Sequence, residues 1–211
     1  WATSPEKDMM LARFYQFQGT GLLLLAIGTM LLGWFHAEAT GGSAGVAGTE
    51  RFLLGMQLDR YAEPYSMISN EYRDFTTYNI SIYSGGELFL HRLQYVVGDS
   101  TMRAAIRNYY DQWKLKHVNE DRFRAVVEET SKQPLGPFFA QQLHAVDLAD
   151  YAIGRTSRTQ NADSSWTTRI EVVRKAPRQI PVEVQVVTMS DTVTVRAAGV
   201  AEREWVEVRS V

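Results

Sequence analysis

The hydrophobic pattern of this chain changes its period once, near Tyr151. Before that residue, apolar side chains recur every three or four positions, which is the spacing of an amphipathic helix. After it, apolar and polar residues alternate, as they do in strands with one buried face. Helices followed by antiparallel strands form an α+β arrangement, and this is the fold class that the sequence predicts.

Helical patterns occupy five stretches before the change of period. The first, 50–61, has apolar residues at helical spacing and is ended by Pro64. Residues 65–82 are irregular in pattern and rich in aromatic side chains. Four further helices are predicted over 86–97, 101–113, 120–130 and 134–143, with Asp99 and Ser100 capping the second of these and Asn119 the third.

Strand patterns occupy four stretches after the change, at 166–173, 182–188, 192–196 and 204–208. Turn residues such as Pro177 and Gly199 separate them. Short strands joined by such turns predict a small antiparallel sandwich, or part of one.

A run without charge, 19–35, lies near the start of the chain. Extended back to Phe14, it is interrupted only by Gln16 and Gln18, and about 20 apolar residues are enough to cross a bilayer. A single transmembrane helix is therefore predicted over 14–35. Two alternatives stay open, a signal peptide with a cleavage site near Ala37–Glu38–Ala39 and a buried core helix.

The charges that flank this run predict an orientation. Lys7 and Arg13 precede it, and the next positive charge is Arg51. The positive-inside bias then places the N-terminus in the cytoplasm and the rest of a bacterial protein in the periplasm or outside the cell. The predicted organisation is an N-terminal segment over 1–36, a Gly/Ala-rich linker over 37–48, a helical domain over 49–154 and a β domain over 155–211.

Composition excludes two classes of partner and site. The net charge is −2, and no basic stripe with interleaved aromatic residues is present, so no nucleic-acid partner is predicted. Cysteine is absent from the chain, which excludes disulfides and thiolate metal sites.

One stretch carries a chemical motif. Residues 83–99 read YSGGELFLHRLQYVVGD, in which a tyrosine and a glycine pair precede an amphipathic helix that ends in Gly-Asp. This resembles the tyrosine-bearing segment of the M1 zinc aminopeptidase family, which reads roughly Y-x-K/R-G, then a helix, then L-G-D. Further pieces follow in the order seen in that family: Tyr109–Tyr110, Asp121-x-Phe123, Glu128–Glu129, Phe138–Phe139 and the phrase Asp150–Gly154 before an all-β region.

The resemblance implies a role for Tyr83 and also implies a bound zinc ion. The zinc-binding motif of the family is absent from this sequence. In the family, the matching hydroxyl donates a hydrogen bond to the oxyanion formed at the scissile carbonyl. The family also binds zinc through HExxH and a later glutamate. The histidines here are His36, His91, His117 and His144, and none is four residues from another. No metal or cofactor is therefore predicted. Gly85 also stands where the family commonly has lysine or arginine.

Other candidate residues give weaker signals. His91 is a lone histidine on a helix, a pattern typical of a structural or surface residue. Asp147 and Asp150 are too few oxygen ligands for calcium. Glu128 and Glu129 point in different directions on a helix, which indicates a solvated face rather than an acid pair.

Two functions fit these patterns. The first is a non-catalytic, membrane-anchored accessory subunit that stabilises a larger membrane complex, such as a respiratory, photosynthetic or transport assembly. Its partners would be other membrane protein subunits and the lipid bilayer, through residues 14–35, and Tyr83 would be a packed tyrosine with no catalytic role. The second is the C-terminal portion of an M1-type zinc metalloaminopeptidase whose HExxH segment is missing from this chain.

Overall fold

A computed structural model describes residues 43–189 and 192–210. The chain forms two compact units, a helical unit that ends at Val146 and a β unit that begins at Asp147. The α+β fold class is therefore confirmed. The division falls earlier than the predicted boundary at 154/155, because the first strand already begins at Tyr151.

The helical unit contains six α-helices and one π-helical turn within its described residues. In chain order they are α1 (Ser43–Leu58), α2 (Phe75–Asn79), the π-helical turn (Ile80–Gly85), α3 (Gly86–Val97), α4 (Asp99–Trp113), α5 (Glu120–Ser131) and α6 (Gly136–Leu143). The helices predicted over 86–97 and 120–130 are confirmed to within one residue, and those over 101–113 and 134–143 to within two.

The ends of these helices have identifiable causes. The side chain of Asn119 accepts a hydrogen bond from the Arg122 backbone N–H over 3.1 Å, which caps α5 as predicted. Gly98, with φ at 87°, both ends α3 and precedes α4. Asp99 and Ser100 are therefore the first residues of α4 and not its cap, so that detail of the prediction is wrong.

The main core of the helical unit lies between α3, α4, α5 and α6. Its buried residues come from all four helices and the loop before α6: Phe89, Leu90, Leu93, Val97, Met102, Ala105, Val127, Leu135 and Phe139. The rings of Phe89 and Phe139 meet edge to face with their centroids 5.2 Å apart. Apolar positions at helical spacing thus face one another, as their periodicity predicts.

The first helix differs from its prediction at both ends. It begins at Ser43, so the part of the predicted linker within 43–48 is helical, while 37–42 lies outside the described residues. Val46 packs against a cluster formed by Leu53, Met56 and Leu88, and this contact accounts for the extension. The helix ends at Leu58, since the chain turns at Arg60 with φ at 56°.

The predicted transmembrane segment over 14–35 lies outside the described residues. Within the residues that the structure does describe, no helix has the length and apolar character needed to cross a membrane.

The β unit has five strands among its described residues: β1 (Tyr151–Gln160), β2 (Trp166–Arg174), β3 (Val182–Val187), β4 (Thr192–Ala197) and β5 (Arg203–Ser210). They form an antiparallel sheet in the order β1-β2-β5 and an antiparallel hairpin of β3 and β4. The four predicted strands are confirmed. Strand β1 was not predicted, because most of its residues are exposed and it lacks apolar alternation.

The sheet and the hairpin share one core. Ile170, Val172 and Val206 from the sheet meet Val184 and Ala197 from the hairpin. These contacts join the two small antiparallel sheets through one set of buried side chains.

Tyr151 ties β1 to the loops of the same unit. Its hydroxyl donates a hydrogen bond to the Gly199 carbonyl over 2.8 Å and accepts one from the Ile180 N–H over 2.9 Å. Gly199 has φ at 70°, and a Cβ there would overlap the Ile180 carbonyl, so only glycine fits.

A buried carboxylate, Glu171, holds the exposed strand β1 onto the sheet. Only 1% of Glu171 is exposed. It accepts hydrogen bonds from the backbone N–H of Arg155 over 3.0 Å, from Arg155 Nε over 3.3 Å and from Arg203 Nη1 over 3.1 Å. The bonds from the Arg155 side chain and backbone lower the pKa of Glu171 to about 2. Gly154 is required beside it, because a Cβ there would lie 2.6 Å from Glu171 Oε2.

We expect Glu171→Gln to lower the Tm at neutral pH and to make the Tm less sensitive to acid. The folded pKa of Glu171 lies below its ordinary value of 4.5, so its charge stabilises the fold above that value. This stabilisation is lost as the pH falls from about 4.5 to about 2. Thermal unfolding followed by circular dichroism between about pH 7 and about pH 3 measures the difference. Glu207, exposed and paired with Arg169 over 2.9 Å, is the control. Equal acid sensitivity in Glu171→Gln and Glu207→Gln would contradict this expectation.

Candidate functional site

Tyr83 lies in the π-helical turn Ile80–Gly85, which joins α2 to α3. The chain is thus helical without interruption from Phe75 to Val97, and one π-helical segment lies within this helical run. Such segments are rare, and they are frequent at functional sites.

The start of this helical run is capped by Asp74. Its Oδ1 accepts a hydrogen bond from the Thr77 N–H over 2.7 Å, and its Oδ2 accepts one from the Tyr61 hydroxyl. The bond from Tyr61, followed by that from the Thr77 N–H, lowers the pKa of Asp74 below its usual value. The carboxylate is therefore charged at neutral pH and holds the N-terminal end of the run in place.

The end of the π-helical turn is held by contact between Gly85 and the ring of Tyr65. A Cβ built on Gly85 would lie 2.6 Å from Cδ1 and from Cε1 of Tyr65. No side chain fits between the helix and this ring. The ring therefore covers the backbone two residues after Tyr83.

Tyr72 fixes the loop that carries Tyr65. Its hydroxyl lies 2.9 Å from the Pro64 carbonyl and 3.1 Å from the Tyr65 carbonyl, and it donates to these oxygens. Burial raises the pKa of Tyr72 to about 12, so the hydroxyl remains a donor at any physiological pH.

The side chain of Tyr83 is half-buried, and its hydroxyl has no hydrogen-bond partner among the described residues. Tyr78 lies close to it: the pKa of Tyr78 is raised first by burial and then by the proximity of Tyr83. The rings of Tyr72 and Tyr78 meet edge to face at 5.4 Å. The phenol of Tyr83 can therefore donate a hydrogen bond to a ligand.

A groove of about 460 Å³ lies within the same aromatic segment. It is lined by Ser69, Tyr72, Asp74, Phe75 and Tyr78. Phe75 is largely exposed at its edge. Both carboxylate oxygens of Asp74 and the hydroxyl of Tyr72 already have the partners described above, so the groove offers mainly aromatic surface.

The three histidines of the described residues do not form a metal site. Nε2 of His144 lies 3.0 Å from each carboxylate oxygen of Glu120, while His91 belongs to α3 and His117 to the loop after α4. His36 lies outside the described residues. Within the described residues, no group of three or more His, Asp or Glu side chains could hold a metal ion.

Of the acidic candidates, Glu128 has a structural role through its carboxylate. Oε1 of Glu128 accepts the Leu135 N–H over 2.7 Å and so orders the loop before α6. Glu128 is therefore not part of a solvated face, whereas Glu129 is exposed as predicted. Asp150 accepts a hydrogen bond from the Lys175 N–H through its backbone carbonyl over 2.8 Å.

We expect Gly85→Ala to destabilise the helical unit by about 1–3 kcal/mol, because the new methyl group overlaps the Tyr65 ring. In a Tyr65→Ala background, the same substitution should instead stabilise by up to about 1 kcal/mol, since alanine is the better helix former. Urea unfolding of the four proteins of this double-mutant cycle measures both values. Gly55 in α1 has open space around it, so Gly55→Ala is the matched control and should not destabilise. A cost that persists without Tyr65 would contradict the role given to its ring.

Comparison with known proteins assigns no family to this chain. The chain matches no family model, and no curated protein matches it.

The contact between Tyr65 and Gly85 was not predicted from the sequence. The Gly85–Gly86 pair was the available signal, because a glycine inside a helical run often marks a close approach of another group.

Proposed function

We propose that this chain is the tyrosine-bearing C-terminal part of an M1-type peptidase scaffold, and that Tyr83 contributes a hydrogen bond at an active site whose HExxH segment is missing from this chain. The observation that carries the proposal is the π-helical turn that holds Tyr83. π-Helical turns are rare, and they are frequent at functional sites.

The surroundings of Tyr83 support a positioned donor. Tyr65 packs on Gly85, and Asp74 caps the start of the helical run, so both ends of the segment around Tyr83 are fixed. The M1 family commonly has lysine or arginine at the position of Gly85. In this chain the ring of Tyr65 occupies the space that such a side chain would need. A scaffold of this type would therefore differ from the family pattern next to its tyrosine.

The chemistry that this geometry supports is stabilisation of an oxyanion. As water adds to a peptide carbonyl, the oxygen gains negative charge, and a phenol O–H held nearby donates to it. Zinc is also implied by the family resemblance, but the described residues do not fit it, since they contain no group of three possible ligands. Tyr83 is therefore assigned the hydrogen bond alone.

The experiment is an assay of the native polypeptide that carries these 211 residues. The polypeptide should release p-nitroaniline from leucine p-nitroanilide. It should cleave the matched N-acetyl-leucine p-nitroanilide far more slowly, because an aminopeptidase requires a free amino group on its substrate. Absence of hydrolysis, or equal hydrolysis of both substrates, would contradict the proposal.

A second candidate function is the membrane-anchored accessory subunit. Its support is the apolar surface of α1, where Phe52, Leu54 and Leu58 are exposed, together with the uncharged run over 19–35. Such a surface suits packing against another protein. Under this candidate, the native protein would stay in the membrane fraction after an alkaline carbonate wash and would copurify with a stoichiometric membrane partner. A protein released by the wash and purified alone would exclude it.

A further inference from the structure

A second groove lies at the end of α4 and in the loop that follows it, away from Tyr83 in the sequence. It has a volume of about 780 Å³. We call it the α4 groove; its principal lining residues are Ile106, Tyr109, Tyr110, Trp113, Leu115 and Val118. Its size falls within the range of small-molecule sites, about 300–1,000 Å³, and its wall is mainly apolar and aromatic, as such sites are.

Leu115 has an unusual position at this groove. Its φ is 62°, in the left-handed region, and its side chain is 105% exposed. Glycine or asparagine suits that backbone better, and a fully exposed leucine gains nothing from burial. A strained residue that also exposes an apolar side chain is an observation that points to function.

Two hydrogen-bond donors of the groove wall lack partners. The hydroxyl of Tyr109 and the indole Nε1 of Trp113 are buried and have no hydrogen-bond partner among the described residues. Tyr109 is only 9% exposed. Buried donors without partners are rare, and an acceptor supplied by a ligand is one way in which they are satisfied.

The charge around the groove is positive. Arg107 and Lys116 of the lining, and Arg122 beside it, have no carboxylate partner in the described part of the chain. Lys116 Nζ donates to the Gln112 carbonyl over 2.8 Å, and Arg122 Nη1 donates to the His117 carbonyl. The guanidinium carbon of Arg122 lies 4.6 Å from the centre of the Trp113 ring, and Nζ of Lys116 lies 5.7 Å from it. The one acid in the lining, Asp111, pairs with Lys114 over 3.8 Å. The rim therefore attracts an anion.

We propose that the α4 groove binds a small amphipathic anion, namely a medium-length aliphatic chain that carries one carboxylate. The aliphatic chain lies on Trp113 and under Leu115, where apolar area is removed from water. The carboxylate lies at the basic rim. Binding uses the exposed leucine and the basic rim together, and the packing of the helical unit does not explain the exposed leucine.

Octanoate is the probe for this site, and Trp113 reports on it. The full chain is labelled with 5-fluorotryptophan, and the Trp113 signal in the ¹⁹F NMR spectrum is assigned by its loss in Trp113→Phe. Octanoate should shift this signal saturably. Octylamine, which has the same chain and the opposite charge, should bind at least about tenfold more weakly. If octanoate leaves the Trp113 signal unshifted, or if octylamine binds equally well, the proposal is wrong.

Leu115→Gly separates binding from stability. Glycine relieves the left-handed backbone, so the Tm should be unchanged or higher. The loss of the leucine contact should weaken octanoate binding about tenfold. Lys116→Gln should also weaken it, whereas Lys175→Gln, in the β unit, is the matched control and should not. Unchanged octanoate affinity in Leu115→Gly, or the same loss in Lys175→Gln, would overturn the proposal.

Discussion

Tyr83→Phe is expected to lower the kcat for leucine p-nitroanilide by about 100- to 1,000-fold in the native polypeptide, with KM nearly unchanged. Removal of one oxyanion donor has effects of this size, because the hydrogen bond forms only as charge develops in the transition state. The ring remains, so the π-helical turn and its contacts should be preserved. Steady-state kinetics measure kcat and KM, and circular dichroism verifies that the Tm is retained.

Tyr78→Phe is the matched control for this variant. Tyr78 lies in the same segment and interacts with Tyr83, but it precedes the π-helical turn and has no assigned role in catalysis. The kcat of the Tyr78→Phe variant should stay within about threefold of the kcat of the unmodified protein. Equal losses in Tyr78→Phe and Tyr83→Phe, or a change confined to KM, would show that Tyr83 does not act on the transition state.

Phe139→Ala is expected to destabilise the helical unit by about 3–5 kcal/mol. Phe139 is fully buried, and its ring lies 5.2 Å from that of Phe89 and 6.1 Å from that of Phe123. Its removal leaves a cavity where α3, α5 and α6 meet, and the loss is a large fraction of the usual stability of a domain. Urea unfolding followed by circular dichroism measures it.

The neighbouring Phe138 provides the control. It is only partly buried and packs against the edge of the same cluster. Phe138→Ala should therefore cost clearly less than Phe139→Ala, about 1–2 kcal/mol. Equal costs for the two substitutions would mean that the core is not centred on Phe139.

Helices α3, α4, α5 and α6 could be predicted because each has an apolar face at helical spacing and a recognisable start or end. Asn119 and Gly98 are local signals whose effect does not depend on the rest of the fold. Strand β1 could not be predicted in this way. It is held by backbone pairing with β2 and by Glu171, a buried charge of that strand, and its own residues are mostly exposed.

The candidate site could be predicted only in part. The sequence motif singled out Tyr83, for which the first hypothesis predicted a packed tyrosine without a catalytic role, but the π-helical turn depends on hydrogen bonds that no residue pattern specifies. The contact of Tyr65 with Gly85 joins a loop to a helix across twenty positions of sequence. Leu115 was not recognised either, because its significance comes from a backbone angle and from full exposure.

Inhibition by a peptide phosphonate tests the central claim most directly, because its tetrahedral phosphorus and charged oxygen imitate the oxyanion that Tyr83 is proposed to bind. The inhibition constant is measured for the native polypeptide and for its Tyr83→Phe variant. The account predicts a rise of about 100-fold in that constant for the variant, while the KM for leucine p-nitroanilide stays within about threefold. An inhibition constant that is the same in both proteins would contradict it.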